Sequence, residues 1–383
     1  MFSFLALVSI ILFSSVAVVL LKLVFRNNNV VLRLDIRFLM ACMLLILLRM
    51  FIPIESPITN NIPVYKIYPD VYIFLRDVSL VNIFGFSISI LELIMLIWLT
   101  GAVIALAMLA KSYMGLIRSV HRCPELEDER ICKIASKVNE EYGKKYSFKL
   151  VKEEAASIPF VCGIIKPVIV MPELELTDKE AYFILKHEML HYYRGDTLIK
   201  VLCEILKAVY WWNPFMYMLS DLVSNMQEIN VDFKIVEGLS DLYQLEYSQC
   251  LVRVAKTQQH KRAENRWRVS FKKESPSSTH KRINLMLRNM EVNRKKTVAS
   301  ILLSAVILSL VVLCPNVIVF EPYSMADRDV DESVGGREGG IWGVDNKDGT
   351  YDLYIDGQYY KTVPKSEMFD GNVKVYDSFE DIE

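Results

Sequence analysis

His187-Glu188-Met189-Leu190-His191 carries the plainest chemistry in this chain. It is an H-E-x-x-H motif in a stretch that reads as helical. On a helix, positions i and i+4 share a face, so both imidazoles can reach one metal ion. Glu188, one position along, can reach a water that such a metal would activate. Two neutral nitrogens and an adjacent carboxylate are what zinc-assisted peptide hydrolysis needs. The chain has only five histidines in 383 residues, which makes this spacing an uncommon accident. The bland alternative is a surface helix with two unrelated histidines.

A catalytic zinc site takes three protein ligands and leaves the fourth position for water. Several downstream carboxylates could be the third: Glu204, Asp221, Glu228 and Asp232. Glu204 and Asp221 stand alone. Glu228 and Asp232 lie four apart, so one helix face could supply a ligand and an acceptor behind a ligating imidazole. Spacing alone does not choose between that and a solvated helix face.

The elements that must position these residues are marked locally. Thr177 and Glu180 form a T-x-x-E capping box, which predicts a helix start at Thr177, and Gly195 is a plausible stop. Asp196 is expected to cap a second helix running toward Trp212. Asn213-Pro214 reads as the cap and first residue of a third, ending near Gly238 and carrying Glu228 and Asp232.

Composition points to a membrane protein. Mean hydropathy is +0.26. Net charge is −1, so direct nucleic-acid binding is not expected. Four apolar runs are candidate spans: Phe2–Phe25, Phe38–Ile54, Phe84–Ala110 and Val298–Phe320. The first is too long for a signal peptide, and no small-residue cleavage site follows it. Lys22, Arg26, Arg33 and Arg37, then Lys111, Arg118 and Arg122, then Arg294, Lys295 and Lys296 fall on one side of a four-span plan. The positive-inside rule makes that side the cytoplasm. The N-terminus and the acidic tail are then outside. Cys123, Cys132, Cys162, Cys203 and Cys250 fall inside, where thiols stay reduced. Arg49 and Glu92 lie at similar depth in neighbouring spans, and an ion pair between them is expected.

The expected domains are residues 1–110, with spans at about 2–25, 38–54 and 86–110; a soluble region, 111–296; a fourth span, 297–320; and a tail, 321–383. Within the soluble region, Ser147–Lys152 reads as a strand. Ile158 to Pro172 reads as two β runs joined by Gly163 and Pro167, and its prolines favour an edge strand. An edge strand beside a zinc helix can hold an extended peptide. Leu198–Leu219 is apolar and aromatic but carries Lys200, Glu204 and Lys207. It reads either as a helical hairpin dipping into the membrane or as a buried core hairpin.

Taken in order, the motifs resemble the BlaR/MecR-type sensor-transducer metallopeptidases. The matching pieces are Pro159-Phe160-Val161-Cys162-Gly163 with Lys166-Pro167-Val168-Ile169, then His187–His191 with Arg194 and Asp196. Trp212-Asn213-Pro214-Phe215, Glu228 with Asp232, and Lys281-Arg282-Ile283 follow. The resemblance implies a mainly α membrane protein. It would have four transmembrane helices and a cytoplasmic α+β gluzincin-like zinc metalloprotease domain, to which the residues themselves add a small extracytoplasmic β tail. It implies Zn2+ held by His187, His191 and Glu228, Glu188 as general base, and Asp232 behind a ligand. It implies cleavage of the chain itself, with Ser270-Phe271 resembling such a site, or of a BlaI/MecI-type repressor, in a bacterial plasma membrane.

The tail departs from that family. Residues 321–383 hold no S-x-x-K with an S-D-N or K-T-G partner, so β-lactam sensing by acylation is not expected. Thr350–Ile355 and Gln358–Val363 around Asp356-Gly357 predict a hairpin. Tyr192, Tyr193, Arg253 and His260 are candidates for stabilising an oxyanion. The rival functions are a membrane quality-control protease and a non-catalytic receptor or scaffold.

Overall fold

A computed structural model describes residues 4–52, 60–64, 71, 74–75, 79–83, 86–143, 146–153, 156, 158–264, 276–288, 296–314, 318–322, 341–355, 358–365 and 374–376. Two compact units divide the chain. One holds Met1–Ile62 with Ser79–Phe320, the other Pro63–Val78 with Glu321–Glu383. The apolar helices and the region 111–296 therefore share one unit.

Helix α1 (Phe4–Arg26) is joined to α2 (Ile36–Phe51) through a short helical turn, and Asp35 caps α2 by accepting from Arg37 N. Helix α3 (Ile90–Arg122) starts at a Ser89–Glu92 capping box. It departs from the expected span at both ends. Phe86–Ser89 is a strand, and the helix continues well past Ala110. Among the described residues, α1 and α3 are long and apolar enough to cross a membrane. Only 6% of the most apolar stretch of α3 is buried, so it is not the core helix of a soluble fold. Arg49 Nη1 donates to the Ile52 carbonyl, while Glu92 is engaged by Ser89, so each makes a contact at its own helix end.

Helix α4 (Glu129–Glu141) precedes a three-stranded sheet of β1 (Lys149–Lys152), β2 (Phe160–Cys162) and β3 (Val168–Met171), in the order β1-β3-β2. β1 is parallel and β2 antiparallel to β3. The proline-bounded run Val168–Met171 is thus central rather than at an edge. Pro167 and Pro172 lie just outside the strand and cost it no ladder donor. The edge beside the motif helix is β2. Gly163, at φ +88°, turns β2 back toward β3, and a Cβ there would meet the Lys166 carbonyl oxygen.

Helix α5 (Asp178–Tyr193) carries the H-E-x-x-H motif and opens with both halves of the Thr177–Glu180 capping box. Helices α6 (Asp196–Val209), α7 (Pro214–Val236), α8 (Asp241–Glu264) and α9 (Pro276–Arg288) follow. Asn213 caps α7 by accepting from Phe215 N. Helix α10 (Lys296–Leu308) continues as a π-helical turn, Ser309–Leu313. The fourth apolar run was expected to stay helical to Phe320, but Ile318–Pro322 is a strand. Pro315 lies between, and a proline lacks the N–H that would continue the helix.

Two of this unit's apolar clusters meet on α7. One joins Ile10, Leu21, Met43 and Ile46 of α1 and α2 to Leu206, Met216, Leu219 and Met226 of α6 and α7. The other packs α4, β3 and α8 around Ala181, Leu185 and Met189 of α5. Helix α7 contributes to both, with Met226 and Ile229 in the first and Val231 and Ile235 in the second. All seven cysteines are free thiols.

In the second unit, β4 (Ile341–Asp345), β5 (Thr350–Ile355), β6 (Gln358–Pro364) and β7 (Lys374–Tyr376) form a sheet ordered β6-β5-β4-β7. The expected pairing around Asp356-Gly357 is present, Gln358 lying opposite Ile355. Trp342 stacks on Tyr354 at 4.3 Å.

Candidate metal centre

Three side chains from two helices converge. On α5, His187 and His191 point their Nε2 atoms together, 3.1 Å apart. Glu228 of α7 places Oε2 3.2 Å from His187 Nε2 and Oε1 3.4 Å from His191 Nε2. Ligands about 2.0–2.2 Å from a tetrahedral zinc stand roughly 3.3 Å apart, so these separations fit the edges of one coordination shell. Of the carboxylates open on spacing, Glu228 is the one in this group; Glu204 pairs with Lys207 at 2.6 Å.

The outward ring nitrogens set the tautomers. His191 Nδ1 lies 2.8 Å from Asp196 Oδ2, and His187 Nδ1 lies 2.9 Å from the Tyr247 hydroxyl. That hydroxyl donates onward to Asp232 Oδ1 at 2.7 Å, so it must accept from His187. Both Nδ1 atoms therefore carry protons, and both Nε2 lone pairs are free for a metal. Burial and the neighbouring Asp232 hold the Tyr247 phenol well above its ordinary pKa, keeping it a hydroxyl. Burial disfavours charge on His191, but Glu228 and Asp196 outweigh it and raise its pKa.

Charge makes the same case. Glu188, Asp196, Glu228 and Asp232 are all buried, and Arg282 of α9 is the buried cation among them. Its Nε and Nη2 bond Asp232 at 2.7 and 2.9 Å, and Nη1 reaches Glu228 Oε2 at 3.1 Å. Lys200 adds a more distant contact to Glu228, at 3.7 Å. Buried carboxylates need compensating charge, and a divalent cation between His187, His191 and Glu228 would supply it.

Glu188 faces the sheet instead of the ligands, accepting the Val161 N–H of edge strand β2 at 3.1 Å. A cavity of about 50 Å³ opens beside it, bounded by His187, Glu188, Tyr247, Thr279, Arg282 and the apolar Phe183. Cys250, on its wall, has its thiol pKa pushed up to about 12 by burial.

Asp196 does not cap α6, as expected from sequence. Gly195 is the cap residue, and the Asp196 carboxylate turns to His191. Asp232 stands behind His187 as expected, but through Tyr247. Three oxyanion candidates are engaged elsewhere: Tyr192 with the Ile164 carbonyl, Tyr193 with Asn139, Arg253 with Glu180. The side chain of His260, and Ser270 and Phe271, lie outside the described residues. Sequence reading missed Tyr247, and placed Arg282 in the Lys281-Arg282-Ile283 piece of the resemblance without giving it a role at the metal centre.

The family profile described as BlaR1 peptidase M56 matches residues 83–286, more than half of the chain and the whole of this site. The chain belongs to that peptidase family. It is 24% identical over 165 residues to the regulatory protein BlaR1 of Bacillus licheniformis, covering 43% of this chain and 28% of that protein. It is 25% identical over 179 residues to the methicillin resistance mecR1 protein of Staphylococcus aureus strain Mu50, covering 45% and 30%. The same figures hold for the mecR1 protein of Staphylococcus epidermidis. The chain thus spans less than a third of the length of the curated relatives it matches.

Proposed function

We propose that this chain is an integral-membrane zinc metalloendopeptidase. In this reading it acts as a signal transducer, cleaving itself or a cytoplasmic BlaI/MecI-type repressor in response to an external signal. The observation that carries the chemistry is the convergence of His187 Nε2, His191 Nε2 and Glu228, with Glu188 one residue along the same helix. The membrane part rests on the apolar helices and on the family. The plan keeps four spans in a bacterial plasma membrane, with the metal centre cytoplasmic and the tail outside.

His187, His191 and Glu228 would hold zinc, which when bound polarises the scissile carbonyl and makes water more acidic. Glu188 takes the proton of the attacking water and returns it to the leaving amine. Asp196 and the Tyr247–Asp232 pair keep the imidazoles in the ligating tautomer. A peptide paired with edge strand β2 passes beside Glu188, which already touches Val161.

The test is zinc content of the detergent-purified chain beside two variants. About one zinc per chain, lost in both His187→Ala and Glu228→Ala, is the expected result. A folded wild-type chain that takes up no zinc when supplied with it would overturn the reading in favour of a receptor or scaffold.

A further inference from the structure

The stretch Leu198–Leu219 carries charges yet is lined with aromatics, and its place in the fold explains both. It forms the hairpin of α6 and the start of α7, packed against α1, α2 and α3. One side is buried with α1 and α2 through Cys203, Leu206, Tyr210, Met216 and Leu219. The other side leaves Leu198, Trp211, Trp212 and Tyr217 exposed.

The tip lies deep along the neighbouring helices. The Tyr210 hydroxyl donates to the Met50 carbonyl, at the end of α2 remote from Arg37. Trp98 Nε1, two turns into α3 and remote from Arg118 and Arg122, donates to the Val209 carbonyl at 2.8 Å. Helix α6 is about 20 Å long, enough to cover much of a bilayer from the Asp196 end.

Several polar groups of the turn are paired within the protein, although Asn213 Nδ2 is buried without a partner among the described residues. Unpaired backbone groups are not tolerated in hydrocarbon unless protein satisfies them. Tyr210 N bonds the Leu206 carbonyl, Asn213 N bonds the Tyr210 carbonyl, and the Asn213 side chain accepts from Phe215 N. The Tyr217 hydroxyl donates to the Trp211 carbonyl, and Trp211 Nε1 donates to the Trp98 carbonyl. The charges are paired as well, Lys207 with Glu204 and Lys200 with Glu228. Gly101 of α3 lets the Trp211 indole lie against the helix backbone, since a Cβ there would come within 2.5 Å of the ring.

We propose that this hairpin is a re-entrant membrane element, docked on α3 through Trp211 and Gly101, with Trp212 and Tyr217 against lipid acyl chains. Ile97 and Ile104 of α3 are exposed as well. Asp196 at its base and Glu228 on its returning helix then tie two residues of the metal centre to a membrane-inserted structure. This inference rests on the membrane reading above and adds the hairpin to it.

The test places a photoreactive benzoylphenylalanine singly at positions 104, 212 and 243 of the full chain in phospholipid vesicles. Adducts to phospholipid at 104 and 212 but not at 243 are expected. Labelling at 104 without 212 overturns the hairpin and leaves the membrane reading standing. No lipid adduct at either overturns both. Labelling at Tyr243 as strong as at 212 also overturns the proposal, since contact would not be specific to the hairpin.

Discussion

Arg282 bonds both oxygens of Asp232 and extends its third nitrogen to Glu228. Its helix α9 lies between the Ser270-Phe271 segment and α10. The guanidinium thus links the approach to the last apolar helix with Glu228, the proposed third ligand, and with the acceptor behind His187. Removing one partner of a buried ion pair costs about 3–5 kcal/mol. Arg282→Met is expected to lose about that much in metal-chelated protein and less with metal bound, because the ion offsets the Glu228 charge. Thermal unfolding of both forms checks this. Arg282→Lys should recover only part, lacking the planar fork. An equal, small effect in both forms would deny the link.

Tyr247 is expected to act through His187. Tyr247→Phe removes the hydroxyl between Nδ1 and Asp232 while keeping the ring against Phe183. Loss of such an outer partner lowers metal affinity roughly 10–100-fold. Competition with a chromogenic chelator measures it, and circular dichroism shows whether the fold is retained. Wild-type affinity in the folded variant would remove Tyr247 from the site.

Asp196 separates two readings of one residue. As a helix cap its loss would cost about 1 kcal/mol of stability and leave the metal alone. As the partner of His191 its loss should weaken metal binding by about 10–100-fold. Asp196→Ala, which can serve neither as cap nor as acceptor, is expected to follow the second course, read by the same chelator competition beside thermal unfolding.

Glu188→Gln separates chemistry from binding. It keeps the size of the side chain but cannot accept the water proton. Zinc content should be unchanged and peptide cleavage should fall about 10²–10⁴-fold. Retained cleavage would sink the assignment of the base.

The local signals were legible because their partners lie within a turn or two. The Thr177–Glu180 box, the Asn213-Pro214 start and the hairpin around Asp356-Gly357 all formed as their spacing required. Tyr247 and Arg282 gave no such signal. They reach the centre across 60 and 50 residues of sequence, and only the packing of α8 and α9 brings them there. Asp196 misled because an aspartate at a helix start looks the same whether it faces its own backbone or another side chain. Of the two runs around Gly163 and Pro167, Phe160–Cys162 is the edge strand and Val168–Met171 the central one, a choice that depends on the pairing with Lys149–Lys152 and that local residues do not mark.

Gly101 and Trp211 give a test of the hairpin's docking that needs no lipid probe. A methyl group at Gly101 would overlap the indole, so Gly101→Ala must displace Trp211 and break its bond to the Trp98 carbonyl. Overpacking of this kind costs about 1–3 kcal/mol. Trp211→Leu loses the same bond but makes room for the methyl group. If the two side chains meet as described, the double variant will be more stable than the sum of the single losses predicts. A coupling of about 0.5–3 kcal/mol in a double-mutant cycle is expected, followed by thermal unfolding in detergent. Additive losses would place Trp211 away from α3, and the hairpin would lose its anchor on that helix.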